Sequence, residues 1–134
     1  MKEKWISAYI DIAERISLLS NAKRLKVGAI VVKNHRIISI GYNGTPEGWD
    51  NICEDKNNKT KPEVIHAEMN CIQKLAKSNE SGEDSDMFIT HAPCMSCAKA
   101  IYGSGIKNVF YKNLYRENEG LEFLNLCHIN TFKV

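Results

Sequence analysis

Hydrophobic and polar positions follow two different rhythms along this chain. Trp5, Tyr9, Ile12, Ile16 and Leu19 recur every three or four residues. That spacing predicts an amphipathic helix over residues 3–20, with the stripe turned to the core. Val27-Gly-Ala-Ile-Val-Val32 is instead a continuous apolar run rich in β-branched residues, as expected of a strand buried on both faces. Asn34-His35 predicts a tight turn into Arg36-Ile-Ile-Ser-Ile-Gly-Tyr42, so the pair reads as a β-hairpin. Residues 43–63 hold Gly44, Pro46, Gly48 and Pro62 among Asn and Lys. They predict a long polar loop, and loops of that length in a compact domain are usually functional.

Past His66 the helical rhythm returns over 67–77, with Met69, Ile72, Leu75 and Ala76 towards the core. A polar turn over 78–86 leads to a strand at 87–90. Pro93 suits the first turn of the next helix, Cys94 to Ser104. A strand at 108–111, a helix at 120–126 and a final edge strand at 128–134 complete the chain. The order α-β-β-α-β-α-β-α-β predicts one α/β domain, residues 1–134, with a central sheet covered on both faces.

The 134 residues are enough for one continuous core. Apolar residues make up 43% and charged residues 25%, the balance of an ordinary globular protein. A net charge of +2 is too small to argue for a nucleic-acid partner. Asp11, Glu14 and Arg15 break any apolar run near the N-terminus. No signal peptide or membrane span is therefore expected, and the predicted location is the cytoplasm. The five cysteines are an odd number, and two stand in a Cys-x-x-Cys. That reads as metal ligation plus free thiols in a reducing compartment.

The chemistry gathers in Val64-Ile-His-Ala-Glu-Met-Asn70 and Ala92-Pro-Cys-Met-Ser-Cys97. Imidazole and thiolate are the ligands zinc prefers, and three protein ligands leave a fourth tetrahedral position open, as catalytic zinc requires. His66, Cys94 and Cys97 are the expected ligands. Glu68 is too close to His66 along the chain to be an easy fourth, and is well placed to move protons. His66 and Cys94 both fall at predicted helix starts, where unpaired N–H groups and the helix dipole lower thiol pKa. Both cysteines are therefore expected as thiolates. The competing reading is a structural zinc completed by Cys53, Cys71 or Cys127, which stand in no paired spacing. His35, His91 and His128 receive no role.

His-x-Glu followed by Pro-Cys-x-x-Cys is the known signature of zinc-dependent base deaminases. Together with Lys26-Val-Gly-Ala-Ile-Val-Val-Lys33, Gly41-Tyr-Asn-Gly-Thr-Pro46 and Ser104-Gly-Ile-Lys107, the chain resembles the deoxycytidylate (dCMP) deaminases of the cytidine deaminase-like superfamily. The resemblance covers nearly the whole chain. It implies a three-layer α-β-α fold around a mixed five-stranded sheet, and hydrolysis of dCMP to dUMP and ammonia, feeding thymidylate synthesis. It implies one Zn2+ on His66, Cys94 and Cys97, with Glu68 as proton shuttle. The Ala67 N–H would meet the pyrimidine O2. Asn43 would hold the deoxyribose, with Thr45 also at the substrate, and Arg24, Tyr115 and Arg116 would surround the 5′-phosphate. Two guanidinium forks and a phenol suit a phosphate; a solvated surface role is the alternative for each Arg.

The resemblance further implies a hexamer activated by dCTP and inhibited by dTTP, with Mg2+ able to accompany a triphosphate effector. Lys56, Lys59 and Lys61 could reach such a triphosphate or simply face solvent. The segment before His66 holds only Cys53, which argues against a second zinc. His91 stands where relatives carry an apolar residue, and either tunes the pocket or faces solvent. The competing functions are a deaminase of dCTP or of a free nucleoside, and a non-catalytic zinc-containing nucleotide sensor.

Overall fold

The computed structural model describes residues 1–134. In chain order the elements are α1 (Glu3–Ser17), β1 (Gly28–Lys33), β2 (Arg36–Tyr42), α2 (Ala67–Ala76), β3 (Asp86–His91), α3 (Met95–Gly103), β4 (Asn108–Asn113), α4 (Glu119–Leu126) and β5 (Asn130–Lys133). The strands form one mixed sheet in the order β2-β1-β3-β4-β5. β1 is antiparallel to β2 and to β3, whereas β3, β4 and β5 run parallel. No helix is long and apolar enough to cross a membrane.

Alternation along the central strands builds a core on each face of the sheet. Ala29 and Val31 of β1, Met87 and Ile89 of β3 and Val109 of β4 pack against α2, α3 and α4. Ile30, Val32, Phe88 and Phe110 point the other way, onto Tyr9, Ile10 and Ala13 of α1. The Phe88 and Phe110 rings stack with centroids 4.6 Å apart. One helix on one face and three on the other make the expected α-β-α layers.

The β1–β2 connection is the expected tight turn. Asn34 and His35 have φ of 52° and 60°, the left-handed pair whose twist matches a two-residue hairpin.

α1 departs from expectation. It ends at Ser17, and its buried face is Tyr9, Ile10, Ala13 and Ser17. Trp5 and Leu19 stay 42% and 47% exposed. The cause lies on β1, where a side chain at Gly28 would run into the Ala13 carbonyl and the Ser17 backbone. The close approach at Gly28 sets Ala13 and Ser17 against β1, with Ile12 and Ile16 packed partly buried beside them.

The 43–63 segment carries structure of its own. Gly44 bridges Ile65, and Glu54 bridges Thr60. Lys61 N–H donates to Cys53 O and Asp55 N–H to Lys59 O, each at 2.8 Å. The result is a small hairpin over 53–61 lying beside the cleft.

Candidate active site

The site forms at the carboxyl ends of the parallel strands β3 and β4, where open α/β sheets generally bind ligands. His66 is the N-cap of α2, and Cys94 is the N-cap of α3. The first helical bonds, Asn70 N–H to His66 O and Ala98 N–H to Cys94 O, are both 2.9 Å. Two helix starts are thus joined at one point. Cys97, one turn into α3, completes the group.

His66 Nδ1 lies 3.5 Å from Cys94 Sγ and 3.4 Å from Cys97 Sγ. A tetrahedral ion with Zn–S of about 2.3 Å and Zn–N of about 2.0 Å sets N and S roughly 3.5 Å apart, so the donors fit zinc. No other His, Cys, Asp or Glu joins these three in a metal-sized group. Cys53 lines the same cleft but lies outside the metal-sized group, and Cys71 is buried in the core. Cys71 donates to Ala29 O at 3.2 Å, and burial holds its pKa up at about 12. A structural zinc therefore has no fourth protein ligand here.

Without a metal ion the two sulfurs, both expected as thiolates when metal is bound, shift in opposite directions. Hydrogen bonds from Cys97 and His66 pull Cys94 down to about 3. The same Cys94 contact, reinforced by burial, pushes Cys97 upwards. Two bare thiolates side by side would repel, which opposes ionisation of the second sulfur, and metal binding requires both to be deprotonated. The Cys94 hydrogen bond likewise raises the His66 pKa.

Glu68 sits in the first turn of α2 and is 4% exposed. Burial raises its carboxyl to about 7, against a weaker opposing pull from its own backbone N–H and from His66. A group with that pKa can both accept and give a proton at neutral pH.

A cleft of about 520 Å³ opens above these groups, within the usual range for small-molecule sites. His66, Ala67, Glu68 and Cys94 are among the residues that line it. The Ala67 N–H, at the first position of α2, has no acceptor within the protein. Arg24, Tyr115 and Arg116 also line the cleft. Neither arginine takes part in an ion pair. Arg116 Nη2 donates to the Tyr115 hydroxyl at 3.2 Å.

Asn43 lines the cleft and also ties it together. Its Oδ1 accepts from Val27 N–H at 2.9 Å, and its Nδ2 donates to Leu25 O at 2.8 Å. One N–H and one lone pair remain for a ligand. Thr45 is not brought to the cleft; its hydroxyl donates to Asp50 O within the same loop. Lys56, Lys59 and Lys61 are also outside the lining, and Lys61 faces Asp50 at 3.6 Å.

Of three further lining residues, Asn113 and Glu54 carried no signal in the sequence, and His91 was left between tuning the pocket and facing solvent. His91 faces the cleft and is half-buried. Its Nδ1 lies 2.9 Å from Thr90 Oγ1, and burial lowers its pKa. Asn113, paired with His91 across β3 and β4, donates to Thr90 O at 2.9 Å. Glu54 reaches the cleft from the small hairpin.

Known proteins share this arrangement. The crystal structure of a dCMP deaminase from the cyanophage S-TIM5, in complex with dCMP and dUMP, superposes with a TM-score of 0.98 at 46% identity, covering 100% of this chain and 99% of that one. The deoxycytidylate deaminase of Enterobacteria phage T4 is 33% identical over 154 aligned residues, 84% of this chain and 80% of that protein. ComE operon protein 2 of Bacillus subtilis is 34% identical over 116 residues, 84% of this chain but 61% of its own length. The family model for the cytidine and deoxycytidylate deaminase zinc-binding region matches residues 3–113, a span containing all three metal donors and Glu68, so the chain belongs to the cytidine and deoxycytidylate deaminases.

Proposed function

We propose that this protein is a hydrolase that converts dCMP to dUMP and ammonia. The observation that carries the reading is Glu68, a carboxyl buried beside three zinc donors in a cleft that Arg24 and Arg116 also line. A structural site has no use for a protonatable group there. The relative crystallised with dCMP and dUMP supports the same substrate.

His66, Cys94 and Cys97 would hold zinc, which would supply the Lewis acidity that activates water at neutral pH. Glu68 takes one proton from the attacking water and delivers it to ring N3, then takes the remaining proton of the added hydroxyl and passes it to the departing amine, which leaves as ammonia. The Ala67 N–H donates to the pyrimidine O2 and fixes the ring over Glu68. The spare polar positions of Asn43 hold the deoxyribose. Arg24 and Arg116, both free of ion pairs, take the 5′-phosphate together with the Tyr115 hydroxyl that Arg116 meets. Thr45 acts on the sugar only indirectly, by bracing the loop that carries Asn43.

The test is ammonia release from dCMP, dCTP, deoxycytidine and CMP, with the wild type and Glu68→Ala. Turnover of dCMP that disappears in the variant is the expected result. Turnover of dCTP instead keeps the mechanism and overturns the phosphate assignment. A wild type that binds zinc yet turns over none of them is a nucleotide sensor.

Regulation by dCTP and dTTP in a hexamer is a further part of the proposal, supported by the resemblance of Gly41–Pro46. Effector titration at subsaturating dCMP, alongside sedimentation, tests it; a flat response to both nucleotides refutes the regulation.

A further inference from the structure

Arg24 stands in the stretch between α1 and β1, which has no regular secondary structure. Its flanks are tied down by Asn43 and Ser20: Ser20 Oγ donates to Asn43 O at 2.7 Å, and Asn43 holds Leu25 and Val27. The middle is held by a residue thirty positions away. Glu54 Oε2 accepts the backbone N–H of Lys23 at 3.0 Å and of Arg24 at 3.2 Å. No other acceptor meets either amide.

Glu54 is itself fixed. It is 7% exposed and bridges Thr60 in the small hairpin. The turn of that hairpin is closed by Asp55 Oδ1, which accepts from Asn57 and Lys59 N–H at 2.8 and 3.0 Å. A carboxyl group this close to an arginine would ordinarily pair with the guanidinium and cancel its charge. Here it grips the main chain, and the Arg24 guanidinium has no ion-pair partner. The charge is left available to the cleft, which both residues line.

We propose that Glu54 is a positioning residue that sets substrate preference by presenting Arg24 to the 5′-phosphate. This rests on the substrate reading above. The acceptor matters more than the formal charge, because a Gln carbonyl at the same place can receive both amides.

The experiment compares wild type, Glu54→Ala, Glu54→Gln, Arg24→Ala and the Glu54→Ala/Arg24→Ala pair. Amide hydrogen exchange at Lys23 and Arg24 is read together with KM and kcat for dCMP and deoxycytidine. Glu54→Ala is expected to lose protection at both amides and to raise KM for dCMP about tenfold with a smaller change in kcat. The preference for dCMP over deoxycytidine should fall by the same factor, and Glu54→Gln should restore most of both. In the Arg24→Ala background Glu54→Ala should add little, because the two act as one unit. Unchanged exchange in Glu54→Ala, or effects that multiply in the double variant, overturns the proposal. A wild type inactive on dCMP overturns the substrate reading and the phosphate role of Arg24, while exchange still decides whether Glu54 holds the segment.

Discussion

Gly120, in the first turn of α4, leaves no room for a side chain against the Pro93 carbonyl oxygen, and the Cys94 carbonyl lies 3.0 Å from where a Cβ would stand. α4 therefore presses on the residue pair that starts α3 and carries a zinc donor. Gly120→Ala should push the Pro93–Cys94 turn outwards and cost about 1–3 kcal/mol, as overpacking does. Zinc content per chain and melting temperature check this. A variant with full zinc and unchanged melting would show that α4 yields instead.

Glu68→Gln should keep zinc while lowering turnover by roughly 10²–10⁴, the usual contribution of a positioned proton carrier. Metal analysis with steady-state kinetics separates this from site collapse.

The same substitution has an opposite signature in the metal-free protein. The Glu68 carboxyl rises from 4.5 to about 7 on folding because it is buried. The folded state therefore binds more protons in that window, and its stability falls as pH rises from 4.5 towards 7. Glu68→Gln escapes the penalty, so above pH 7 the metal-free variant should be more stable than wild type, by up to about 3 kcal/mol. Denaturant melts of both chains at pH 5 and pH 8 are the measurement. Parallel curves at the two pH values would contradict the buried-carboxyl account.

Zinc uptake should release protons, because Cys97 keeps its proton in the metal-free cluster and zinc takes thiolate. Affinity accordingly rises with pH. Calorimetric titration in buffers of different ionisation heat reads the released protons directly; a heat independent of buffer would mean both sulfurs were already ionised.

His91 contributes a separate acid sensitivity. Burial lowers its pKa from 6.5, so below that value the unfolded chain takes up a proton that the folded chain resists. Stability is fully present above pH 6.5 and declines as pH falls through the lowered value. His91→Gln should flatten this part of the melting-temperature profile.

The elements and the metal donors were legible in the amino-acid sequence because both depend on short-range geometry. One helical turn brings Cys94 and Cys97 to one side of α3, and two residues separate His66 from Glu68 at the start of α2. The Val27–Val32 run announced a strand buried on both faces, and β1 is one. Tertiary structure alone decided matters that depend on distant partners. Gly28 drew Ala13 and Ser17 of α1 against β1, which buried Tyr9 and partly buried Ile12 and Ile16 of the expected stripe but left Trp5 and Leu19 exposed. Asp50 took the Thr45 hydroxyl, while the cleft received Glu54 from a hairpin that polar composition had disguised as loop. The opposed pKa shifts of Cys94 and Cys97 also required both sulfurs in place beside His66. Periodicity records which face a residue shows; it holds no record of which segment, tens of residues away, closes against that face.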